Sequence, residues 1–184
     1  MSLPITPEVI MSRPSPTTHE RTFSENELIV SKTDLKGRLT YVNDVFCRVG
    51  LYTEGELLGQ PHSIVRHPHM PRAVFHMLWQ RIQNGEEIFA FVKNMAKNGD
   101  YYWVLAHVTP SRDQQGRIDG YHSNRRVPQR ESLNRIEPIY RRLLEEENRH
   151  PDRKQGMHAA AALLQATLDE AEQSYDEFVF SLAA

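Results

Sequence analysis

The sequence predicts an α+β domain: one antiparallel five-stranded sheet with short helices on one face, followed by C-terminal helices. Three observations carry that reading. Apolar residues recur at helical spacing from Val74 to Ile82, then switch to a period of two over Glu87–Asn94 and Tyr101–Thr109. Two short β-rich runs precede the helix, and turn residues separate the strands. At Pro128 the composition changes again, and charged helical segments replace strands.

Composition sets the outer bounds. A chain of 184 residues suits one domain of roughly 100–150 residues with extensions. With 39% hydrophobic and 25% charged residues it belongs with soluble globular chains. A net charge of −2 gives no polyanion-binding signal, so nucleic acid is not an expected partner. No run of about 18 apolar residues occurs, so no segment is expected to insert in a membrane. Cys47 is the single cysteine; disulfides within the chain are impossible, and a cytoplasmic setting is expected.

Along the chain, residues 1–23 are proline-rich without apolar periodicity and read as a flexible leader. Leu28–Asp34 and Arg38–Val42 form a hairpin around Lys36-Gly37. Asn43-Asp44 can cap a short helix through Val49, stopped by Gly50. Thr53 and Glu56 have capping-box spacing and open another short helix that ends at Gly59. Pro71 then stands where a first helical residue belongs, and the helix runs to Asn84-Gly85. Three strands follow, over Glu87–Asn94, Tyr101–Thr109 and about Arg117–Arg125, joined by Lys97-Asn98-Gly99 and Asp113–Gly116.

Alternation divides the long strands into two faces. Ile88, Ala90, Val92 and Asn94 look one way with Tyr102, Val104, Ala106 and Val108; Phe89, Phe91, Trp103, Leu105 and His107 look the other. Both rows are rich in apolar side chains, so each face needs a cover. After residue 128 a charged helix contains Pro138, which should kink or restart it, and a polar hinge spans Arg149–Gly156. Met157, Ala161, Leu164, Leu168, Ala171, Tyr175, Phe178 and Leu182 then follow a heptad seam. The seam and the outer sheet face predict self-association, a receptor contact, or cover by the chain's own helices.

The stretch between the two helical segments, Gly59–Pro71, holds three prolines, three histidines and one arginine in thirteen residues. Its prolines exclude a regular helix or central strand, and Arg66 and His67 are costly to bury unpaired. The stretch reads either as a solvated loop or as the wall of a pocket for an anionic or metal-bearing cofactor. No Gly-rich phosphate loop, nucleophile elbow or kinase phosphoacceptor region can be placed, so no enzyme is expected. The carboxylates Glu145-Glu146-Glu147 read as a solvated helix face.

Six blocks in order resemble the PAS domain of bacterial aerotaxis and energy-taxis receptors, in a stand-alone form that partners a membrane chemoreceptor or other signalling protein. They are Thr33-Asp-Leu-Lys-Gly37, Tyr41-Val-Asn-Asp-Val-Phe46, Gly59-Gln-Pro-His62, Val65-Arg-His-Pro-His-Met-Pro71, Val92-Lys-Asn94 and Lys97-Asn-Gly-Asp-Tyr-Tyr-Trp-Val104. The resemblance covers about Ser31 to Arg126, within a PAS domain expected over 24–127 and followed by a helical extension over 128–184. It implies a redox or oxygen sensor that binds FAD, with Asn43, Arg66, His67, His69, Trp79 and Asn94 at the cofactor. In the family Arg-His helps hold the flavin, which suits a guanidinium on phosphate oxygens. Two positions depart: His69 replaces the family's aspartate, and Ile88 stands where the aerotaxis receptor has a tryptophan. His69 also makes haem the alternative cofactor, and a cofactor-free interaction module is the rival class.

Overall fold

The computed structural model describes residues 14–183. Five strands, β1 (Ile29–Thr33), β2 (Leu39–Val42), β3 (Ile88–Met95), β4 (Tyr101–Arg112) and β5 (Ile118–Arg126), form one antiparallel sheet in the order β2-β1-β5-β4-β3. Between β2 and β3 lie α1 (Asp44–Gly50), α2 (Glu54–Leu57), a 3-10 turn (His62–Val65) and α3 (Arg72–Gln83). After β5 come α4 (Arg130–Asn148), α5 (Arg153–Glu170) and α6 (Tyr175–Ala183).

The local signals act as their chemistry requires. Asn43 caps α1 by accepting from the Phe46 N–H. Thr53 and Glu56 close a reciprocal capping box on α2. The left-handed residue that ends α1 is Leu51 at φ 58°, whereas Gly50 stays helical, and a Cβ there would touch the Tyr52 and Phe46 rings. Pro71 is not the first helical residue but precedes α3, leaving the Ala73 N–H in need of an acceptor.

That acceptor comes from the far end of the chain. Glu147 is 2% exposed; its Oε1 accepts from Ala73 N at 2.9 Å and its Oε2 from Arg72 Nε at 3.1 Å. The expected solvated carboxylate is therefore a buried cap on α3, where the positive end of the helix dipole favours it. Gly156 makes the junction possible, since a Cβ there would lie 2.3 Å from the Glu147 carbonyl oxygen.

The register sorts the faces as alternation requires. Val92 pairs with Val104 and Asn94 with Tyr102 on the inner face; Phe91 pairs with Leu105 and Lys93 with Trp103 on the outer. α4 and α6 cover the outer face: Tyr140 donates to the Phe91 carbonyl at 2.7 Å and stacks near Trp103, while Phe180 meets Phe89 at 5.0 Å. Phe91 and Trp103 are 1% and 4% exposed. Of the three covers expected for this face, a second copy, a receptor or the chain's own helices, it is the chain's own helices that occupy it. The heptad seam is corrected. α5 stops at Glu170, Glu172 turns left-handed at φ 53°, and Ser174 with Glu177 caps a separate α6. Leu164, Leu168, Phe178 and Leu182 are buried within the chain's own core. Pro138 lies inside α4 without dividing it.

Part of the expected leader is ordered. Residues 1–13 lie outside the described residues. From residue 14 on, Thr17 N bonds Gly99 O, Arg21 N bonds Tyr101 O, and Phe23 enters the core. These backbone bonds extend the sheet edge beside the start of β4.

Candidate functional site

The inner face of the sheet does not close against α3. Between them lies a cavity of about 490 Å³, within the range of small-molecule sites. Val92, Ala106 and Val108 line it from the sheet, Phe75, Leu78 and Trp79 from α3, and Met157 from α5. These walls suit a flat apolar body. Trp79 spans the gap from α3 to the β1–β2 turn. A Cβ on Gly37, itself at φ +75°, would lie 2.9 Å from the Trp79 ring. Its other neighbour is Tyr121, edge-on at 5.5 Å.

The polar groups on these walls are few and pointed. Asn94, near the end of β3, is 3% exposed, and its Nδ2 has no acceptor among the described residues. Arg66 joins Asn94 through a backbone bridge, donates to the Met70 carbonyl at 3.1 Å, and lies 4.2 Å over the Phe75 ring. Three expected residues, Arg66, Trp79 and Asn94, are thus brought together on the cavity.

The other three are placed elsewhere. Asn43 is engaged at α1: beyond its cap it accepts from Val30 N at 3.0 Å and donates to Leu28 O at 2.8 Å. His67 is 1% exposed but lies off the cavity; its N–H bonds Lys93 O, and its Nδ1 accepts from His69 N at 3.1 Å. It ties the proline-rich crossing to β3. His69 is exposed and packs edge-on against His67 at 4.8 Å, outside the cavity, so it cannot serve as an axial ligand there. The histidines that do reach the walls are His62, His76 and His122.

A cluster missed in the sequence completes the sheet wall. Arg125 of β5 is 2% exposed, lies 4.5 Å from the Phe46 ring centre, and donates through Nη2 to the Ser31 hydroxyl. Its Nε and Nη1 have no acceptor among the described residues. Burial draws its pKa down to about 10. His62 stands 3.4 Å from the same hydroxyl, and burial followed by the Arg125 charge holds its imidazole neutral, down to about 3. The sequence did contain the signal, because Tyr121, Ser123 and Arg125 alternate on one face of β5 and a cation in an inward row marks a site.

A five-stranded antiparallel sheet that holds a cavity against short helices is the architecture of a PAS domain, and a sequence profile of the PAS fold matches residues 39–125. This stretch has the PAS fold. The chain is 41% identical to the aerotaxis receptor of Escherichia coli (strain K12) over 132 residues, 72% of this chain and 26% of the receptor. It is 29% identical to the nitrogen fixation regulatory protein of Klebsiella pneumoniae over 92 residues, 50% of this chain and 19% of that protein. It therefore spans about a quarter or less of these relatives. A Light-Oxygen-Voltage domain whose mechanism was probed with a flavin analogue matches with a TM-score of 0.53, covering 67% of this chain and 87% of that one. At 18% identity the likeness is one of fold. Among the described residues no helix is long and apolar enough to cross a membrane, and no His, Cys, Asp or Glu cluster could hold a metal ion.

Proposed function

We propose that this chain is a cytoplasmic redox or oxygen sensor that binds FAD in the cavity and passes its state to a chemoreceptor or other signalling protein, without catalysis of its own. One observation carries the reading: the unpartnered amide of Asn94 on an apolar cavity, in a domain similar to that of the aerotaxis receptor. The residues present fit a flavin. Phe75, Leu78, Val92 and Val108 can sandwich a flat ring system, and Asn94 and Arg125 offer buried donors to its polar edges. Arg66, at the cavity wall, suits a phosphate-bearing tail.

Bound flavin would supply reversible redox chemistry in which its N5 changes from hydrogen-bond acceptor to donor. Asn94 can answer either state, because one side-chain amide carries both an acceptor and a donor and a half-turn exchanges them. Its backbone bridge to Arg66 and its pairing with Tyr102 join that rotation to the proline-rich crossing and to β4. On the opposite face of β3, the Phe91 carbonyl meets Tyr140 of α4, one sheet thickness away. This supports an output through α4 by proximity alone.

An absorbance spectrum of protein purified without added cofactor tests the reading. Flavin bands in wild type, lost or strongly reduced in Asn94→Ala, are the expected result. A Soret band would favour haem instead, and neither spectrum after reconstitution would leave a cofactor-free interaction module.

A further inference from the structure

A buried cation without a counter-charge needs a physical reason, and Arg125 is one. No carboxylate faces its guanidinium among the described residues, and the neutral His62 beside it cannot compensate. The ring of Phe46 and the hydroxyl of Ser31 account for one face and one nitrogen, which leaves Nε and Nη1 without an acceptor among the described residues, in a side chain that lines the cavity. Uncompensated burial of this kind is unfavourable unless a ligand brings the missing acceptors and charge.

We propose that Arg125 forms an anion subsite on the sheet wall, which takes the N1–C2=O edge of a bound flavin and favours its reduced, negatively charged form; this rests on the flavin reading of the cavity. The match follows from hydrogen-bond character. A guanidinium only donates, and N1–C2=O is the flavin edge that only accepts. The C4=O–N5 edge changes character on reduction and suits Asn94, which stands on β3, separated from β5 by β4. Two electrons from a reductant such as dithionite, with one proton added at N5, leave one negative charge on N1–C2=O. A cation fixed there in a water-poor site stabilises that charge more than it stabilises the neutral oxidised ring.

The test compares flavin-loaded wild type, Arg125→Gln and Arg125→Lys by dye-equilibrium titration of the midpoint potential. In Arg125→Gln the potential is expected to fall by at least about 30 mV, a tenfold loss of preference for the reduced form, and Arg125→Lys should recover most of it. A second measurement needs no folded Gln variant. Wild type should bind 1-deaza-FAD, with C–H in place of N1, at least roughly tenfold more weakly than FAD, read by flavin fluorescence. An unchanged potential in folded Arg125→Gln, or equal wild-type affinity for the two flavins, overturns the subsite. Wild type that takes up no flavin at all overturns the sensor reading and the subsite with it, and its absorbance spectrum tells that failure apart from the first.

Discussion

The outer face of β3 and β4 and the inner face of the same sheet are buried to a similar degree but in different states. Outside, Trp103 and Phe91 are 4% and 1% exposed under α4 and α6, and Tyr140 satisfies its hydroxyl on a carbonyl. Inside, Asn94 and Arg125 are 3% and 2% exposed and line the cavity, yet each keeps donors without acceptors among the described residues. The outer face is packed for stability, since filled apolar contacts and paired polar atoms both favour the folded chain. The inner face forgoes part of that stability. Departures of this kind from full packing and pairing are expected at functional or strained sites.

The sharpest way to break this contrast is Trp103→Ala. Truncating a buried aromatic on the packed face should cost about 3–5 kcal/mol in urea unfolding, with cofactor absorbance of the folded fraction retained. A loss below about 1 kcal/mol would mean that the terminal helices do not complete the core. Glu147→Ala comes next. It removes the acceptor of Ala73 N and the partner of Arg72, so a loss of about 2–3 kcal/mol is expected by the same measurement.

A third test uses pH. Burial, and then the Arg125 charge, draw the His62 pKa down to about 3 in the folded chain, against an ordinary 6.5. A histidine with a depressed folded pKa stabilises fully above its unfolded value, and that stability is lost as pH falls through 6.5 toward 3. Because His62 lines the cavity and keeps some exposure, the loss between neutral pH and about 4.5 should be only about 1–2 kcal/mol. His62→Gln should flatten the curve there. Glu56, held down to about 2 by the Lys97 ammonium and then the Thr53 amide, acts only at lower pH. A slope that persists in His62→Gln would assign it to other groups.

The smallest effect on stability belongs to the inner face. Asn94→Leu replaces an unsatisfied buried amide with an apolar group of similar shape, so stability should stay within about 1 kcal/mol of wild type or rise. Cofactor absorbance should fall all the same. A large destabilisation would show that Asn94 is a structural amide.

Much of this molecule was legible wherever the chain is periodic or capped. Alternation put Asn94 on the inner face because a strand allows only two directions, and Thr53 with Glu56 marked α2 because a capping box is written in adjacent residues. The Gly59–Pro71 crossing offered no such rule. An irregular backbone has no period by which to sort its side chains, so the sequence could not tell that His62 reaches the cavity while His67 and His69 turn away. In the C-terminal region two local signals competed. The heptad spacing through Ala171 read as one helix, but the Ser174–Glu177 capping box and the turn at Glu172 divided it.

What the sequence by itself determined is the set of elements and their faces, since propensity, capping and alternation act within a few residues. Tertiary structure decided the rest: that Glu147 caps a helix 74 residues earlier, that α4 and α6 rather than a second molecule cover the outer face, and that Arg125 ends buried without an acid. Those outcomes depend on which distant surfaces meet, and no local pattern specifies that.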